Sequence, residues 1–186
     1  MGKRIDKLED KLQGWMERAN RGHHLLGFCA LISFGGTISA VYPVTAVIVT
    51  GVMLAAKRWL ALSLACSLGS ALGGATIMAL SHWLGYNEIH HLFPSLISPE
   101  TWAEASRWLG EYGVWAIFGV GASPLPQMPL LIFFGIVDDR IFEAFIALFA
   151  GKLIKYTLVA WVTQHFPEKL SFFKRINGKI RSNQGQ

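Results

Sequence analysis

The chain has 186 residues, of which 52% are hydrophobic and only 16% are charged, with a formal net charge of +5. Soluble domains carry about 25% charged residues, whereas residues 22–56, 59–87 and 112–137 here contain no Asp, Glu, Lys or Arg. Because a helix that crosses a bilayer needs about 20 mostly apolar residues, the composition excludes a soluble domain, a disordered chain, a disulfide scaffold and a nucleic-acid-binding module. It predicts an all-α polytopic membrane protein.

The N-terminal segment, residues 1–22, is predicted to form an amphipathic helix on the cytoplasmic surface of the membrane. Ile5, Leu8 and Leu12 recur at three- and four-residue spacing, which places them on one helical face opposite the charged residues. A solvated tail is the alternative interpretation. The segment is long and mixed in charge, unlike a signal peptide, so we expect it to be retained.

The membrane domain is predicted to span residues 23–165, and it begins with an interrupted apolar stretch. Residues 25–56 are too many for one simple crossing and too few for two, and Gly35, Gly36 and Pro43 interrupt them. Since proline bends or breaks a helix, we predict a re-entrant hairpin of two half-helices that enter the membrane and return. Non-helical backbone at that depth needs a cover of protein or a water-filled cavity, so the break is expected to line one.

A full crossing, residues 60–86, follows a short basic turn and completes repeat 1, residues 25–86. Gly69 and Gly73 lie four residues apart in this crossing. Such spacing lets two membrane helices approach closely, and it also offers a surface for a homo-oligomer. A polar connector, residues 87–111, comes next and is expected to lie outside the membrane.

Repeat 2, residues 112–164, has the same order of elements. Pro124, Pro126 and Pro129 interrupt its uncharged first part. Three prolines in six residues exclude a continuous helix, so a second re-entrant hairpin is predicted. The second crossing, residues 141–164, follows a short charged turn.

The order of hairpin, crossing, connector, hairpin and crossing predicts an inverted repeat. A hairpin returns to its own side and a crossing changes side, so the second hairpin enters from the opposite face and the two breaks meet near the midplane, where such proteins bind substrate. Thirteen Lys and Arg residues fall on one predicted side, including the basic tail at residues 166–186, and only Arg107 and Arg140 fall on the other. By the positive-inside rule, we expect a multi-pass inner-membrane protein with both termini in the cytoplasm.

Two lysines of the second crossing are the sharpest functional candidates. Lys152 lies near the centre of that helix, where a lysine costs about 2.5–3.5 kcal/mol on insertion scales, and Lys155 lies on the same face. The only acid of the helix, Glu143, falls on roughly the opposite face. This pattern indicates an anionic ligand or a wet cavity, and snorkelling of the side chains to the interface is the alternative.

Polar residues at the two hairpin breaks complete the candidate site. Ser123 before Pro124 resembles an N-cap followed by proline at the first helical position. The other polar break residues are Thr37, Ser39, Thr45 and Gln127. A returning half-helix presents free N–H groups and the positive end of its dipole, so both tips favour negative charge, and a lipid phosphate is the economical ligand. Alternatively, these hydroxyls only satisfy the broken backbone.

The sequence shows no pattern typical of a metal site, a cofactor site or covalent catalysis. The histidines are not at ligand spacing, and no nucleophile motif, phosphate-binding loop or pair of mid-membrane acids occurs. We therefore expect no metal, no cofactor and no enzyme activity. Cys29 and Cys66 are expected to be buried free thiols.

Two segments carry a specific likeness to a known family: Ser123-Pro-Leu-Pro-x-x-Pro-Leu-Leu-Ile and Gly151-Lys-Leu-Ile-Lys-Tyr156. On these segments the chain resembles the DedA family, also called VTT or SNARE-associated domain proteins, in its short YqaA-like branch. The likeness covers about residues 30–165 and is generic in the first half. It implies two opposed re-entrant hairpins and a role in moving lipids across or between leaflets, and it adds Tyr156 to the candidate site beside the two lysines.

The sequence therefore predicts a flippase or scramblase-like transporter of an anionic lipid, a phospholipid or a polyprenyl phosphate, that supports envelope homeostasis. Proton-coupled DedA members carry acids in the first hairpin and arginines around the second. Neither tip has them here, which favours passive movement. The alternatives are an ion or small-solute transporter, proton-linked or not, and a structural membrane partner. Membrane lipids are the expected partners, and no nucleic acid is expected.

Overall fold

The computed structural model describes residues 24–39, 44–92 and 99–165, and within these ranges the backbone forms α-helices and one 3₁₀ turn, with no β-strand. The all-α fold class is confirmed for this part of the chain. The predicted N-terminal helix, the break residue Pro43 and the basic tail lie outside the described residues.

The described helices number seven and fall into two halves. They are α1 (Leu25–Ser39), α2 (Val44–Leu54), the 3₁₀ turn (Ala56–Arg58), α3 (Trp59–Leu92), α4 (Pro99–Tyr112), α5 (Val114–Ala122), α6 (Met128–Val137) and α7 (Ile141–His165). In each half two short apolar helices, α1 with α2 or α5 with α6, come before a long helix, α3 or α7. The runs without charge and the prolines predicted this segmentation.

Helix α3 is longer than the crossing predicted at residues 60–86, because helical backbone continues to Leu92. The helix kinks at Gly85, where φ is 73° and ψ is 176°. Glycine adopts this positive φ without the steric cost that a Cβ brings. The start of the predicted connector, residues 87–92, is therefore helical and belongs to α3 beyond its kink. The later part of the connector forms the amphipathic helix α4.

The short helices cannot cross a bilayer individually. Helices α1, α2, α5 and α6 have 15, 11, 9 and 10 residues. At 1.5 Å per residue the longest extends about 22 Å, against a hydrocarbon core about 30 Å thick. By contrast, Ala56–Tyr86 with 31 residues and α7 with 25 residues are long and apolar enough to cross. The chain thus has the character of a helical membrane protein.

The two long helices pack against each other and carry the short helices around them. Helix α1 packs on α3, the long helix of its own half, and α5 packs on α7 in the same way. The second short helices reach the other half, since α2 contacts α7 as well as α3, and α6 contacts α3. Both halves are consequently interlocked, and the breaks between their short helices lie at the same junction.

Glycines allow the close helix packing that was predicted in α3. A Cβ at Gly69 would collide with the carbonyl oxygen of Ala30 in α1, and one at Gly73 would lie 2.8 Å from that of Phe34. Gly151 in α7 faces the Phe118 carbonyl of α5 in the same manner. The partner of the Gly69 face is thus α1 of the same chain, which covers the surface suggested for a homo-oligomer.

The polarity of the long helices is inverted relative to a soluble bundle. The exposed apolar side chains of α3 and α7 include Leu60, Leu64, Leu68, Leu72, Phe142, Ile146, Ile154 and Leu158. The side chains of Ser63, Ser67 and Ser70, in contrast, are fully buried against α1 and α7. An apolar exterior around a hydroxyl-rich interior suits surroundings of hydrocarbon.

A charged turn joins α6 to α7 at the predicted place, residues 138–140. The Arg140 guanidinium donates to the Asp138 carboxylate with an N–O distance of 2.7 Å. These hydrogen bonds hold the pKa of the Asp138 carboxyl below its usual value. Because the pair is solvent-exposed, it contributes little to the free energy of unfolding.

Candidate functional site

A cavity of about 410 Å³ lies where the two helix breaks meet. It brings together six of the site residues proposed from the sequence: Thr37, Thr45, Gln127, Lys152, Lys155 and Tyr156. Three of the break residues, Gly36, Pro124 and Pro126, also line it. These residues come from α1, α2, α7 and the non-helical segment 123–127, so the cavity is built by both halves.

Four of the proposed residues do not line this cavity. Ser39 and Gly35 are exposed on α1. Pro129 lines a neighbouring crevice. Ser123 bonds the backbone of the break instead, since its hydroxyl donates to the Val120 carbonyl and accepts from the Leu125 N–H. Its own carbonyl accepts a hydrogen bond from Lys155.

The proposed N-cap at Ser123 is wrong. Ser123 ends α5 instead, with extended backbone and an N–H that donates to the Gly119 carbonyl at 3.0 Å. Helix α6 begins only at Met128, and Pro129 occupies its first turn. The reason is that proline disfavours helical backbone in the residue before it, so Pro126 delays the start of the helix.

Lys152 is the most buried charged residue described, with 2% of its surface exposed. Its Nζ donates to the Ser70 hydroxyl on α3. The Ser70 Oγ also lies 2.6 Å from the Thr37 hydroxyl and 3.3 Å from that of Tyr156. The ammonium group therefore ends inside the protein, in a network that joins α1, α3 and α7.

Lys155 has a different partner, the C-terminal end of helix α5. Its side chain is half-buried, and its Nζ donates to the Ser123 carbonyl at 2.7 Å. The last carbonyls of a helix lack intrahelical partners and form the negative end of its dipole. Lys155 thus neutralises the end of α5, whereas Lys152 donates to the hydroxyl and, at 3.5 Å, to the backbone carbonyl of Ser70.

No carboxylate balances either lysine among the described residues. The ion pairs found there both involve Arg140, with Asp138 and with Glu143. Glu143 thus pairs away from Lys152, as its predicted place on the opposite face implies. The cavity therefore holds two cationic side chains three residues apart, whose charges repel.

The first turns of two helices also face the cavity. Val44 and Thr45 open α2, and Gln127 and Met128 precede or open α6. The first intrahelical bond of α6 runs from the Leu131 N–H to the Gln127 carbonyl at 3.0 Å. The N–H groups before it point out of the helix at the positive end of the dipole. The N-terminal ends of α2 and α6 and the two lysines thus favour negative charge in the cavity, while Lys155 offsets the negative end of α5.

Two buried serines were not singled out by the sequence: Ser70, the hub of the hydroxyl network, and Ser33 of α1. The Ser33 Oγ is buried without a hydrogen-bond partner. A signal was present, because Ser63, Ser67 and Ser70 recur at helical spacing on one face of α3.

The described residues contain no cluster of three or more His, Cys, Asp or Glu side chains that could hold a metal ion. Cys29 and Cys66 are buried free thiols, as predicted. The polar groups of the cavity are ammonium groups, hydroxyls, an amide and backbone N–H groups. They can bind and orient an anion by charge and hydrogen bonds.

Comparison with known proteins gives sparse results. No protein-family model matches the chain, and no solved structure matches it significantly. An uncharacterized protein of Haemophilus influenzae is 32% identical over 73 residues, and an uncharacterized protein of Histophilus somni is 29% identical over 73 residues. Each alignment covers 37% of this chain and 38% of the relative. The chain is thus similar to well under half the length of these relatives, whose names state no activity.

Proposed function

We propose that the chain is a multi-pass inner-membrane protein of the DedA type that binds an anionic lipid headgroup and helps it across the bilayer. The observation that carries the proposal is the cavity between the two helix breaks, which contains Lys152 without a carboxylate partner. Its volume of about 410 Å³ falls in the range of about 300–1,000 Å³ that is usual for ligand sites. No covalent step is involved, so the protein is not an enzyme in this proposal.

The packing of the helices supports two opposed re-entrant hairpins. The short helices are too short for a crossing, and each half places its first short helix on its own long helix, while its second short helix contacts the long helix of the other half. An inverted repeat relates the halves in this reciprocal way. In such repeats substrate binds at the interface of the halves, which is where the cavity lies.

Electrostatic magnitudes favour an anion as the ligand. A lysine at a helix centre costs about 2.5–3.5 kcal/mol. A unit negative charge 4 Å from it returns about 4 kcal/mol at an effective dielectric constant of 20. The attraction therefore offsets the cost of Lys152, and the helix ends of α2 and α6 add to it.

The apolar exterior supports a lipid as the carrier of that anion. Leu125, which lines the cavity, is 50% exposed, and the exposed side chains of α3 and α7 include many large apolar ones. A ligand that arrives from the bilayer would thus meet an apolar exterior and an apolar residue of the cavity lining. Because the described part of the cavity has no carboxylate, passive, scramblase-like movement fits better than proton coupling through acids.

A vesicle assay tests the proposal. Protein reconstituted into phosphatidylcholine vesicles should move chain-labelled phosphatidic acid or polyprenyl phosphate between leaflets, measured by dithionite quenching of a fluorescent label. Lys152→Met should abolish this movement, Lys152→Arg should retain it, and Leu158→Met on the exposed face of α7 should leave it unchanged. Equal movement of zwitterionic and anionic lipids, unaffected by Lys152→Met, would contradict an anion site. Uptake of free phosphate without lipid movement would instead indicate a solute transporter.

A further inference from the structure

A second crevice, of about 180 Å³, adjoins the cavity on the side of α4. Its lining is apolar apart from the exposed Glu104 at one edge. The apolar side chains include Ala105 and Trp108 of α4, Val120 of α5 and Leu130 of α6. Leu125 and Pro126 belong to both the crevice and the cavity, so the two spaces share one wall.

Aromatic packing makes the crevice a fixed part of the fold. Trp102 of α4 packs edge-on against Phe133 of α6, with ring centroids 4.4 Å apart, and against Tyr86 of α3 at 5.1 Å. These contacts hold α4 across the second pair of short helices. The gap beneath α4 thus persists between two anchored elements.

We propose that the crevice receives the first carbons of the hydrocarbon chain whose headgroup phosphate sits in the cavity, so the ligand is a lipid phosphate and not a free anion. This inference rests on the proposed function. An amphiphile has a charged group joined to a hydrocarbon chain, and the neighbouring spaces offer two lysines on one side of Leu125 and Pro126 and an apolar lining on the other. A free anion would use the cavity alone.

The crevice selects the ligand by its shape more than by the free energy of removing apolar surface from water. A chain that comes from the bilayer core leaves apolar surroundings for apolar surroundings, so little apolar surface leaves water. Affinity should therefore depend on the phosphate and Lys152. The position of the chain should depend on the free space next to Leu125.

Photocrosslinking tests where the chain lies. The probe is phosphatidic acid with a diazirine near the carboxyl end of its acyl chain, present in phosphatidylcholine vesicles that contain the protein. After irradiation, peptide mapping should find label at Trp108, Leu125 or Leu130, together with unspecific label on the exposed face of α7. Lys152→Met should reduce the crevice label to background and leave the α7 label unchanged.

The second part of the experiment uses a variant in which a larger side chain fills the crevice. Ala105→Phe, at a residue that lines the crevice but not the cavity, should remove the label at Trp108 but keep the thermal stabilisation by glycerol 3-phosphate, which has no chain. Ala103→Phe, the same substitution at an exposed position of α4, should change neither. If Ala105→Phe fails to fold, the Lys152→Met comparison decides alone.

The outcomes separate the two proposals. Absence of crevice label in the wild type, with Lys152-dependent stabilisation by glycerol 3-phosphate intact, would refute the chain site and leave the anion site standing. Crevice label that persists in Lys152→Met would refute the proposed function and, with it, this inference. Persistence of the label in Ala105→Phe would show that the chain lies elsewhere.

Discussion

The substitution Lys152→Met separates the cost of a buried charge from its use in binding. Removing the ammonium group relieves an insertion cost of about 2.5–3.5 kcal/mol and forfeits a charged hydrogen bond to Ser70 worth about 1.5–3 kcal/mol. The Ser70 hydroxyl keeps Thr37 and Tyr156 as neighbours, so no polar group is left unpaired. The protein without ligand should therefore gain stability on the order of 1 kcal/mol, or about 2–4 °C in Tm for a chain of this length.

The protein with bound lipid should respond in the opposite direction. Loss of one charge from the cavity removes an attraction of up to about 4 kcal/mol, and Lys155 remains to provide part of it. We expect affinity for a lipid phosphate to fall at least about ten-fold, which corresponds to about 1.4 kcal/mol. Lys152→Arg should keep the charge and most of the binding.

Thermal unfolding in detergent, with and without added phosphatidic acid, measures both effects on the same samples. The anion site predicts a higher Tm without lipid and a smaller lipid-induced shift for Lys152→Met. If the variant keeps the full lipid-induced shift, the lysine is only a tolerated charge. The reasoning would also fail if the variant without lipid melted below the wild type, because Lys152 would then be a net stabiliser of the empty fold.

The remaining predictions concern topology, helix packing and the proline tip. In a variant whose Cys29 and Cys66 are replaced, single cysteines are introduced at the exposed positions Lys57 and Ser106. The cysteine at 57 should react with a membrane-impermeant reagent only from the cytoplasm, and the cysteine at 106 only from outside. The reverse pattern would contradict the inverted repeat. Gly151→Ala should destabilise the fold by about 1–3 kcal/mol because the methyl group collides with a backbone carbonyl of α5, whereas Gly27→Ala, which faces open space, should be tolerated in the same unfolding assay. Pro126→Ala should slow lipid movement in vesicles more than it lowers membrane insertion, since the helix can then extend into the cavity, and normal transport would make the tip purely architectural.

The layout of the helices was predictable because its causes are local in the sequence. Long runs without charge mark the apolar segments, and prolines interrupt helices except in the first turn. The start of α6 was not predictable from an N-cap rule, since Ser123 and Pro124 fit that rule by themselves. The further proline Pro126 delays the start of the helix to Met128, so several local preferences competed in this segment.

The lysines of the site were predictable, and their partners were not. A charge in an apolar run is rare and costly, so Lys152 and Lys155 stand out without any structure. Ser70 is an ordinary residue in a helix rich in small side chains, and its role depends on the way α1 and α7 meet α3. Similarly, no pattern indicated that Lys155 would bind the end of α5, because that contact depends on how two helices distant in sequence pack.

The different partners of the two lysines bear on how binding of an anion and movement of the helices are linked. The hydrogen bond of Lys155 connects α7 to the end of α5, so it lies within the second half. Lys152 reaches from α7 to Ser70 on α3, and through that hydroxyl to α1, so its hydrogen bonds join the two halves. On the proposed function, an anion in the cavity competes with Ser70 for the Lys152 ammonium group. Binding would then weaken a hydrogen bond between the halves while the hydrogen bond within the second half persists.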